Sequence, residues 1–430
     1  MKRILILIAA LCCVNASARS EYRPSPENLR RRAEFEGFRL GIFIHWGIYS
    51  TFAQGEWYLS HGIDKDEYAK AADAFYPHRF DAGEWVKVFR DAGAGYVTFT
   101  SRHHDGFSMW DSEASDYNIV RSTPFAWDVL KELAEACQTE GLRLHIYYSL
   151  LDWVREDYPV GRTGLETGRC LKPDYDSYFD FMKRQIAELL TQYGPVGGLW
   201  FDGYWDHDSD EQPFDWRITE LYDYAHSLCP EVLIGNNHHL SPIEGEDFQM
   251  FERDLPGENN AGLSGQDISE LPLEMCQTMN GMWGYKVADT DYKSTDELIE
   301  LIVRAAAKGS NLLLNVGPQP NGELPAAAID RLRGIGEWMR RYGVSVRNTH
   351  RGSLEGEWGV STCGEEKIFL HVLDRSARNI DVELDRRPKS VALLSDGECS
   401  WRYDKRTHCL SLQLPEHSEQ PDAVVEIVCR

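Results

Sequence analysis

The stretch GGLWFDG, residues 197–203, decides the fold class of this chain. Leu199, Trp200 and Phe201 form a short apolar run of the kind that fills a buried parallel strand. Asp202 and a glycine close that run at once. Because a buried carboxylate without a partner destabilises a fold, the acid is expected to serve chemistry at the end of the strand.

Similar apolar runs alternate with helical segments along most of the chain, which predicts parallel strands joined by helical crossovers. Six runs are clear, at residues 40–47, 96–101, 144–149, 197–203, 232–237 and 311–317. Helices are expected near residues 65–75, 83–91, 128–140, 174–193 and 217–228. Before the last run, Ser294 and Glu297 form a capping box, and Gly309 supplies the exit of the helix.

Both an open doubly wound sheet and a closed (β/α)8 barrel fit this alternation. Polar side chains nevertheless stand at nearly every strand end, namely His45, Ser101, Arg102, His103, Tyr147, Tyr148, Ser149, Asp202, Asn236, Asn237 and Asn315. Barrel enzymes collect catalytic groups from the C-terminal ends of many strands. There is also no GxGxxG after the first strand and no Walker loop. The predicted fold class is therefore α/β, with a (β/α)8-like TIM barrel as the catalytic domain.

From about residue 350 the pattern changes to short alternating runs separated by Gly, Asp, Asn and Pro, which predicts a C-terminal antiparallel β-sandwich. The runs cover residues 367–373, 379–384, 390–394, 409–414 and 423–428. Cys399 and Cys409 are candidates for a hairpin disulfide there. The predicted organisation is a leader at 1–18, a catalytic domain at 19–347 and the sandwich at 348–430.

The first residues have the three-part pattern of a secretory signal peptide. Lys2 and Arg3 form a basic start, residues 4–14 are apolar, and cleavage is expected after Ala18. The apolar part is too short to span a bilayer, so no membrane anchor is expected. The predicted localisation is periplasmic or secreted.

The formal net charge of −24 excludes several classes of partner. Nucleic acids and anionic membranes require clustered Lys and Arg, so neither is expected as a partner, and a neutral or cationic substrate is favoured. The 13 Trp residues suit sugar-stacking surfaces as well as a large core. The oligomeric state is left open by the sequence.

Two acids are needed if Asp202 is a nucleophile rather than a helix cap. Glu252, in DFQMFERD, is one candidate for the second acid, and Glu274, in PLEMCQTMNGMWGY, is another. Burial among aromatic residues is expected to raise the pKa of Glu252 and make it a proton donor near neutral pH. A retaining glycosidase holds its two carboxyl groups about 5 Å apart.

Three histidines at strand ends, His45, His103 and His104, have two interpretations. They could bind zinc, but they lack the i, i+4 spacing of helical metal motifs. As neutral imidazoles they could instead exchange hydrogen bonds with sugar hydroxyls. Glu56 and Trp57, in the loop after the first strand, add an acceptor and a ring face for a pyranose.

Seven motifs in one order, spread over about residues 25 to 350, carry a family resemblance. They are GIFIHWGIYS, EWY, TSRHHDGFSMWDS, YYSLLDW, GLWFDG, MWGY and GSNLLLNVGP. Together they resemble glycoside hydrolase family 29, the retaining α-L-fucosidases. The resemblance implies a barrel followed by a β-sandwich, no metal and no organic cofactor. It also implies hydrolysis of terminal α-L-fucosyl residues from a glycan, through a covalent fucosyl-enzyme intermediate.

The resemblance assigns roles motif by motif. Asp202 matches the nucleophile of the family, and Glu252 is aligned with the general acid/base, with Glu274 as its main rival. The residues that match the fucose pocket are His45, Glu56, Trp57, His103, His104, Tyr147, Trp200 and Trp283. Many relatives carry a pocket arginine where this chain has His238, which replaces a constant charge with a titratable one.

Three alternatives remain beside the fucosidase interpretation. The chain could be a related retaining glycosidase that acts on another sugar, such as an α-L-galactoside. It could be a fucose-binding relative without turnover. The third alternative is a metal-dependent hydrolase that uses the three histidines.

Overall fold

The structure is a computed structural model that describes residues 22–394, 398–415 and 421–429. The leader predicted at residues 1–18 lies outside the described residues. Within these ranges, none of the helices combines the length and the apolar character needed to cross a bilayer.

Eight parallel strands form the N-terminal part of the chain. They are β1 (Leu40–Ile44), β2 (Tyr96–Arg102), β3 (Arg143–Ser149), β4 (Val196–Asp202), β5 (Leu233–Asn236), β6 (Gln249–Glu252), β7 (Leu273–Thr278) and β8 (Ser310–Val316). Their order, β5-β4-β3-β2-β1-β8-β7-β6, follows the chain around a nearly closed barrel. The predicted barrel is confirmed, and the six predicted strands are all present.

The sequence did not identify β6 and β7 as strands. Polar side chains interrupt both segments, because Gln249, Glu274 and Gln277 lie inside them. Glu274 points into the barrel interior, where Trp200 and Tyr96 donate to it, whereas Gln249 and Gln277 donate to the carbonyls of Asp267 and Arg253. A search for continuous apolar runs therefore misses these strands.

The seam between β5 and β6 is closed by a side chain rather than by a strand ladder. The Ile234 N–H donates to Asp247 Oδ2 at 2.7 Å, and the Asp247 N–H donates to the Ile234 carbonyl at 2.6 Å. The other oxygen of Asp247 accepts from Arg32 at 2.6 Å and from the Tyr22 hydroxyl at 2.8 Å. Because this carboxylate is fully buried, its hydrogen bonds hold the two end strands side by side.

Helices surround the barrel and connect most of its strands. They are α1 (Pro26–Phe38), α2 (Lys65–Ala69), α3 (Ala71–Ala74), α4 (Ala82–Ala92), α5 (Val129–Glu140), α6 (Tyr175–Gln192), α7 (Ile218–Leu228), α8 (Thr295–Ala307) and α9 (Ala326–Tyr342). The predicted capping box of Ser294 and Glu297 starts α8. Gly309, with a φ of 78°, follows its end. Loops without helices follow β5 and β6, and these loops reach the strand ends.

The C-terminal region is a β-sandwich, as predicted. Its strands are β9 (His350–Arg351), β10 (Gly359–Cys363), β11 (Lys367–Val372), β12 (Asn379–Glu383), β13 (Pro388–Leu393), β14 (Ser400–Asp404), β15 (Cys409–Gln413) and β16 (Ala423–Cys429). They form one sheet in the order β13-β16-β11-β10-β9 and a second in the order β12-β15-β14. Leu370 and Val425 of the first sheet and Val382 and Leu412 of the second share one apolar core.

The hairpin disulfide expected between Cys399 and Cys409 is wrong, because both thiols are unbonded. The register explains the error. Cys409 of β15 pairs with Asp404 of β14, and Ser400 pairs with Gln413. Cys399 therefore lies at the opposite end of the hairpin from Cys409, beyond the reach of a disulfide.

Candidate active site

A cavity of about 210 Å³ opens at the C-terminal ends of the barrel strands. It is lined by Phe43, His45, Trp57, His103, His104, Tyr147, Arg162, Trp200, Asp202, Trp205, Asn237, His239, Glu252, Leu263, Cys276 and Trp283. Pockets for drug-sized ligands hold roughly 300–1,000 Å³, so this cavity suits a single small ring. Nine of the twelve predicted site residues line it.

Asp202, the last residue of β4, is held by donors on both of its oxygens. Oδ1 accepts from the Gly203 N–H at 2.8 Å and from the Trp205 indole N–H at 3.0 Å. Oδ2 accepts from the Tyr147 hydroxyl at 2.9 Å. Burial, reinforced by the charge of Glu252, nevertheless raises the pKa of Asp202 to about 6. The carboxylate is therefore both fixed in direction and destabilised as an anion.

Glu252, the last residue of β6, faces the same cavity. Its Oε2 accepts from Asn237 Nδ2 at 2.9 Å and lies 3.1 Å from His239 Nε2. Burial pushes its pKa upward, but the hydrogen bonds from His239 and Asn237, together with the electrostatic effects of His239 and Arg253, outweigh burial and lower the pKa below its ordinary value. The expected raised pKa is thus wrong, because the sequence did not reveal these two donors.

A single amide links the two carboxylates. Asn237 Nδ2, which donates to Glu252, lies also 3.4 Å from Asp202 Oδ1. One nitrogen can reach two carboxyl groups only when they are close together. Retaining glycosidases hold their carboxyl groups about 5 Å apart, whereas inverting enzymes separate them by roughly 6.5–9.5 Å. The Asn237 bridge fits the shorter spacing.

The three histidines are buried and uncharged. Burial lowers the pKa of His45 to about 3 and the pKa values of His103 and His104 well below the ordinary range. His45 Nδ1 lies 2.7 Å from Asn315 Oδ1, and His104 Nδ1 lies 2.7 Å from Ser149 Oγ. Neutral imidazoles can donate and accept hydrogen bonds without bringing a charge into the cavity.

The histidines do not form a metal-binding arrangement. Across the part of the chain that the structure describes, no group of three or more His, Cys, Asp or Glu residues is arranged to hold a metal ion. His103 stacks on Tyr147 instead, with ring centroids 5.4 Å apart and an interplanar angle of 5°.

Glu274 does not reach the cavity. It lies on β7 two residues before Cys276, whose register partner on β6 is Glu252. Its oxygens accept from the Trp200 indole N–H at 2.7 Å and from the Tyr96 hydroxyl. Burial raises its pKa to about 7. Glu274 therefore supports Trp200 from the barrel layer below the cavity.

Glu56 and His238 also lie outside the cavity lining. Glu56 is buried and accepts from the Gly284 N–H at 2.7 Å, next to the cavity residue Trp283. His238 accepts from the Leu240 N–H through Nδ1 at 3.0 Å. Its Nε2 therefore carries the proton and donates to Glu246 Oε1 at 2.9 Å.

His239, rather than the predicted His238, enters the cavity. Its backbone has a φ of 63°, which lies in the left-handed region. Neighbouring side chains in such a turn point in different directions, and the sequence gives no sign of which of two adjacent histidines faces inward. The other residues that the sequence did not assign include Asn237, Trp205, Arg162 and Leu263. Asn237 had a signal, since it stands at a predicted strand end.

Paired carboxylates at the top of a barrel are the arrangement with which many glycoside hydrolases cleave sugar linkages, and this chain is an enzyme of that class. A family model described as alpha-L-fucosidase matches residues 9–344. The chain belongs to this family, glycoside hydrolase family 29.

Individual relatives agree with the family model. The alpha-L-fucosidase of Dictyostelium discoideum is 30% identical over 376 residues, which cover 80% of this chain and 78% of that protein. Among solved structures, alpha-L-fucosidase isoenzyme 1 from Paenibacillus thiaminolyticus has a TM-score of 0.84 and 34% identity, and covers 94% of this chain and 100% of its own. Another solved structure is that of a GH29 alpha-L-fucosidase from Bacteroides thetaiotaomicron, trapped as a covalent intermediate with 2-fluoro-fucosyl fluoride. It has a TM-score of 0.79 and 26% identity, and the match covers 96% of this chain and 98% of that chain.

Asp202→Asn should raise the free energy of unfolding at pH 7 by about 1–3 kcal/mol, because it removes a charge that burial disfavours. The native carboxyl has a pKa of about 6, against 3.8 for an unperturbed aspartate. The native state therefore binds more protons between these values, so the wild type loses stability as the pH rises through this window. Above this pH window the wild type keeps the full loss of stability that the buried, ionised Asp202 causes.

Urea unfolding at two pH values measures this effect. The gain from Asp202→Asn should be present at pH 7 and vanish below about pH 3, where the Asp202 carboxyl is protonated in both the folded and the unfolded state. Asp330→Asn is the control, since Asp330 is exposed and pairs with Arg333 on the surface. It should change stability by no more than about 0.5 kcal/mol. An equal gain in stability at both pH values would contradict the raised pKa of Asp202.

Proposed function

We propose that this chain removes terminal α-L-fucosyl residues from glycans with retention of configuration, with Asp202 as nucleophile and Glu252 as general acid/base. The observation that carries the proposal is the Asn237 bridge, which brings both carboxylates within reach of one nitrogen. Membership of the α-L-fucosidase family supports the choice of sugar. The trapped intermediate of the Bacteroides relative supports a covalent route.

In the first step an oxygen of Asp202 forms a bond to the anomeric carbon of the fucosyl unit. The bond from that carbon to the leaving oxygen breaks, and Glu252 gives its proton to the leaving oxygen. Tyr147 and Trp205 donate to Asp202 and so aim its carboxylate. In the second step Glu252 takes a proton from water, the water oxygen attacks the same carbon, and Asp202 is released.

The walls of the cavity support fucose as the sugar. Phe43 and Trp283, with ring centroids 6.1 Å apart, offer an apolar place for the C6 methyl group. The buried Nδ1 of His103 has no hydrogen-bond partner among the described residues, which leaves it available to a sugar hydroxyl. An α-L-galactoside adds a hydroxyl at C6, and an apolar niche rejects such an addition only modestly. It remains the second candidate substrate.

The purified protein should release 4-nitrophenol from 4-nitrophenyl α-L-fucoside, more slowly from the α-L-galactoside, and not from the β-D-fucoside. Release should be unchanged after exhaustive treatment with a chelator, which separates this proposal from a metal-dependent hydrolase. NMR of the first-formed sugar should show α-L-fucose. First-formed β-L-fucose would contradict retention. Failure on fucosylated oligosaccharides of every linkage would favour a fucose-binding relative without turnover.

Asp202→Ala should lower the turnover of 4-nitrophenyl α-L-fucoside by at least about 10³-fold, because it removes the attacking group. Azide should restore product formation as β-L-fucosyl azide, since it attacks from the face that Asp202 leaves empty. Glu252→Ala should mainly slow the second step, because 4-nitrophenolate is a good leaving group and departs in the first step without a proton from Glu252. Azide should then rescue with retention, as α-L-fucosyl azide.

Glu274→Gln is the matched control for the acid/base assignment. It is also buried and carboxylic, but it contacts Trp200 and Tyr96 instead of the cavity. Its activity should not respond to azide. If azide instead rescued Glu274→Gln with retention and left Glu252→Ala unchanged, the acid/base role would pass to Glu274.

We also propose that the chain is exported to the periplasm or the outside of the cell. The basic start at Lys2 and Arg3, the apolar stretch after it and the small residues up to Ala18 support this proposal. N-terminal sequencing of the protein recovered from its host should find Arg19 as the first residue. A mature protein that still begins with Met1 would contradict export by cleavage.

A further inference from the structure

Arg162 places a cation at the mouth of the cavity that contains Asp202 and Glu252. The residue is exposed, unlike the carboxylates below it. Its guanidinium carbon lies 5.1 Å from the ring centroid of Trp205, within the range of a cation–π contact. The region beyond the two carboxylates, toward solvent, is where the leaving group of a bound fucoside must lie.

The backbone around Arg162 is fixed to the turn that follows the nucleophile. The Arg162 N–H donates to the Asp206 carbonyl at 2.8 Å. The N–H and hydroxyl of Thr163 donate to Asp206 Oδ1 at 2.9 and 2.6 Å. Gly161 packs so closely that an added Cβ would lie 1.9 Å from Asp206 Oδ2. Because Asp206 is fully buried, this loop is placed rigidly relative to Asp202.

Trp205 connects this loop to the reacting groups. Its indole N–H donates to Asp202, and its ring stacks on Trp57 with centroids 5.9 Å apart. Arg162, Trp205 and Trp57 therefore form a continuous wall from the nucleophile to the surface. A wall of aromatic faces that ends in a guanidinium can contact the ring of a second sugar and a charged substituent on that ring.

Arg162 has no ionic partner of its own in the described structure. Among the contacts between described residues, none gives its guanidinium a hydrogen bond or a carboxylate within salt-bridge distance. It acts at a distance on Asp208, whose pKa it lowers against the stronger effect of burial. Other exposed arginines also lack a carboxylate partner, but Arg162 is the one of them that lines the cavity with Asp202 and Glu252, so its guanidinium is available to a group bound there.

We propose that Arg162 forms a leaving-group subsite for an anionic substituent, a carboxylate or a sulfate on the sugar that carries the fucose. A guanidinium binds either group through two parallel hydrogen bonds. The net negative charge of the protein opposes an anion only weakly at this contact, since charges beyond about 8 Å are screened at physiological salt. The subsite rests on the proposed fucosidase function and narrows its substrates to acidic fucosylated glycans.

Matched aryl fucosides test this subsite without assuming a linkage. The carboxylate pair is 3-carboxy-4-nitrophenyl α-L-fucoside and its carboxamide, and the sulfonate pair, which reports on sulfate, is the 3-sulfo compound and its sulfonamide. For each pair the measured quantity is kcat/KM of the anion divided by kcat/KM of the neutral analogue. Taking the same ratio in wild type and variant cancels the difference in leaving-group ability.

Arg162→Gln should lower this ratio about tenfold, because it removes a charge-assisted pair of hydrogen bonds. Arg162→Lys should lower it less, about threefold, since an ammonium keeps the charge but not the paired geometry. Arg333→Gln, the same charge change at an exposed helix residue paired with Asp330, should leave the ratio unchanged. The pair with the larger effect identifies the carboxylate or the sulfate as the preferred group.

The outcomes separate the two proposals. If wild type cleaves the neutral fucosides but Arg162→Gln leaves both ratios unchanged, the subsite is overturned and the fucosidase function stands. Equal falls for Arg162→Gln and Arg333→Gln would also overturn it, because they would show an effect of net charge alone. If wild type cleaves no fucoside of any kind, the proposed function itself fails.

Discussion

The site depends on one buried amide that stands between two carboxylates. Asn237 donates to Glu252 and lies within reach of Asp202, so it lowers the repulsion that would otherwise separate these acids. Its position requires that the end of β5 lie directly beside the end of β6. These two strands share no ladder, and Asp247 joins them through its buried carboxylate. The contacts that close the barrel between β5 and β6 therefore also set the distance between Asp202 and Glu252.

The hydrogen bonds to Asp202, the proposed nucleophile, fix the direction of its carboxylate more than they stabilise its charge. Three donors hold Asp202, yet burial and Glu252 still raise its pKa. A stronger set of donors would stabilise the free carboxylate and make it a weaker nucleophile. The aromatic residues that supply these donors also form the wall of the cavity, so Tyr147 and Trp205 each combine a polar contact with an apolar face. This double use explains the high aromatic content at the strand ends.

Strand-end chemistry could be predicted from the sequence, because a buried apolar run that stops at a polar residue has a clear pattern. Asp202, His45 and His103 follow this rule. Glu274 shows its limit, since recognising β7 as a strand would have placed this residue one layer below Glu252. The choice between His238 and His239 depends on a left-handed backbone, which two adjacent histidines do not reveal. Arg162 lies in a loop whose position is set by contacts with Asp206, far away in the sequence.

The pKa shifts of Asp202 and Glu252 are opposite to those that the proposed mechanism requires. Asp202 has the raised pKa and Glu252 the lowered one, whereas a nucleophile must be ionised and a general acid must carry a proton. Two neighbours of Glu252 contribute to its lowered pKa, because His239 Nε2 lies 3.1 Å from Glu252 Oε2 and Asn237 donates to the same oxygen. A bound sugar that excludes water disfavours an ionised carboxylate, and so favours the protonated Glu252 that the proposed first step needs. The contacts that fix Glu252 beside Asp202 therefore oppose its protonation, and binding of the substrate has to overcome them.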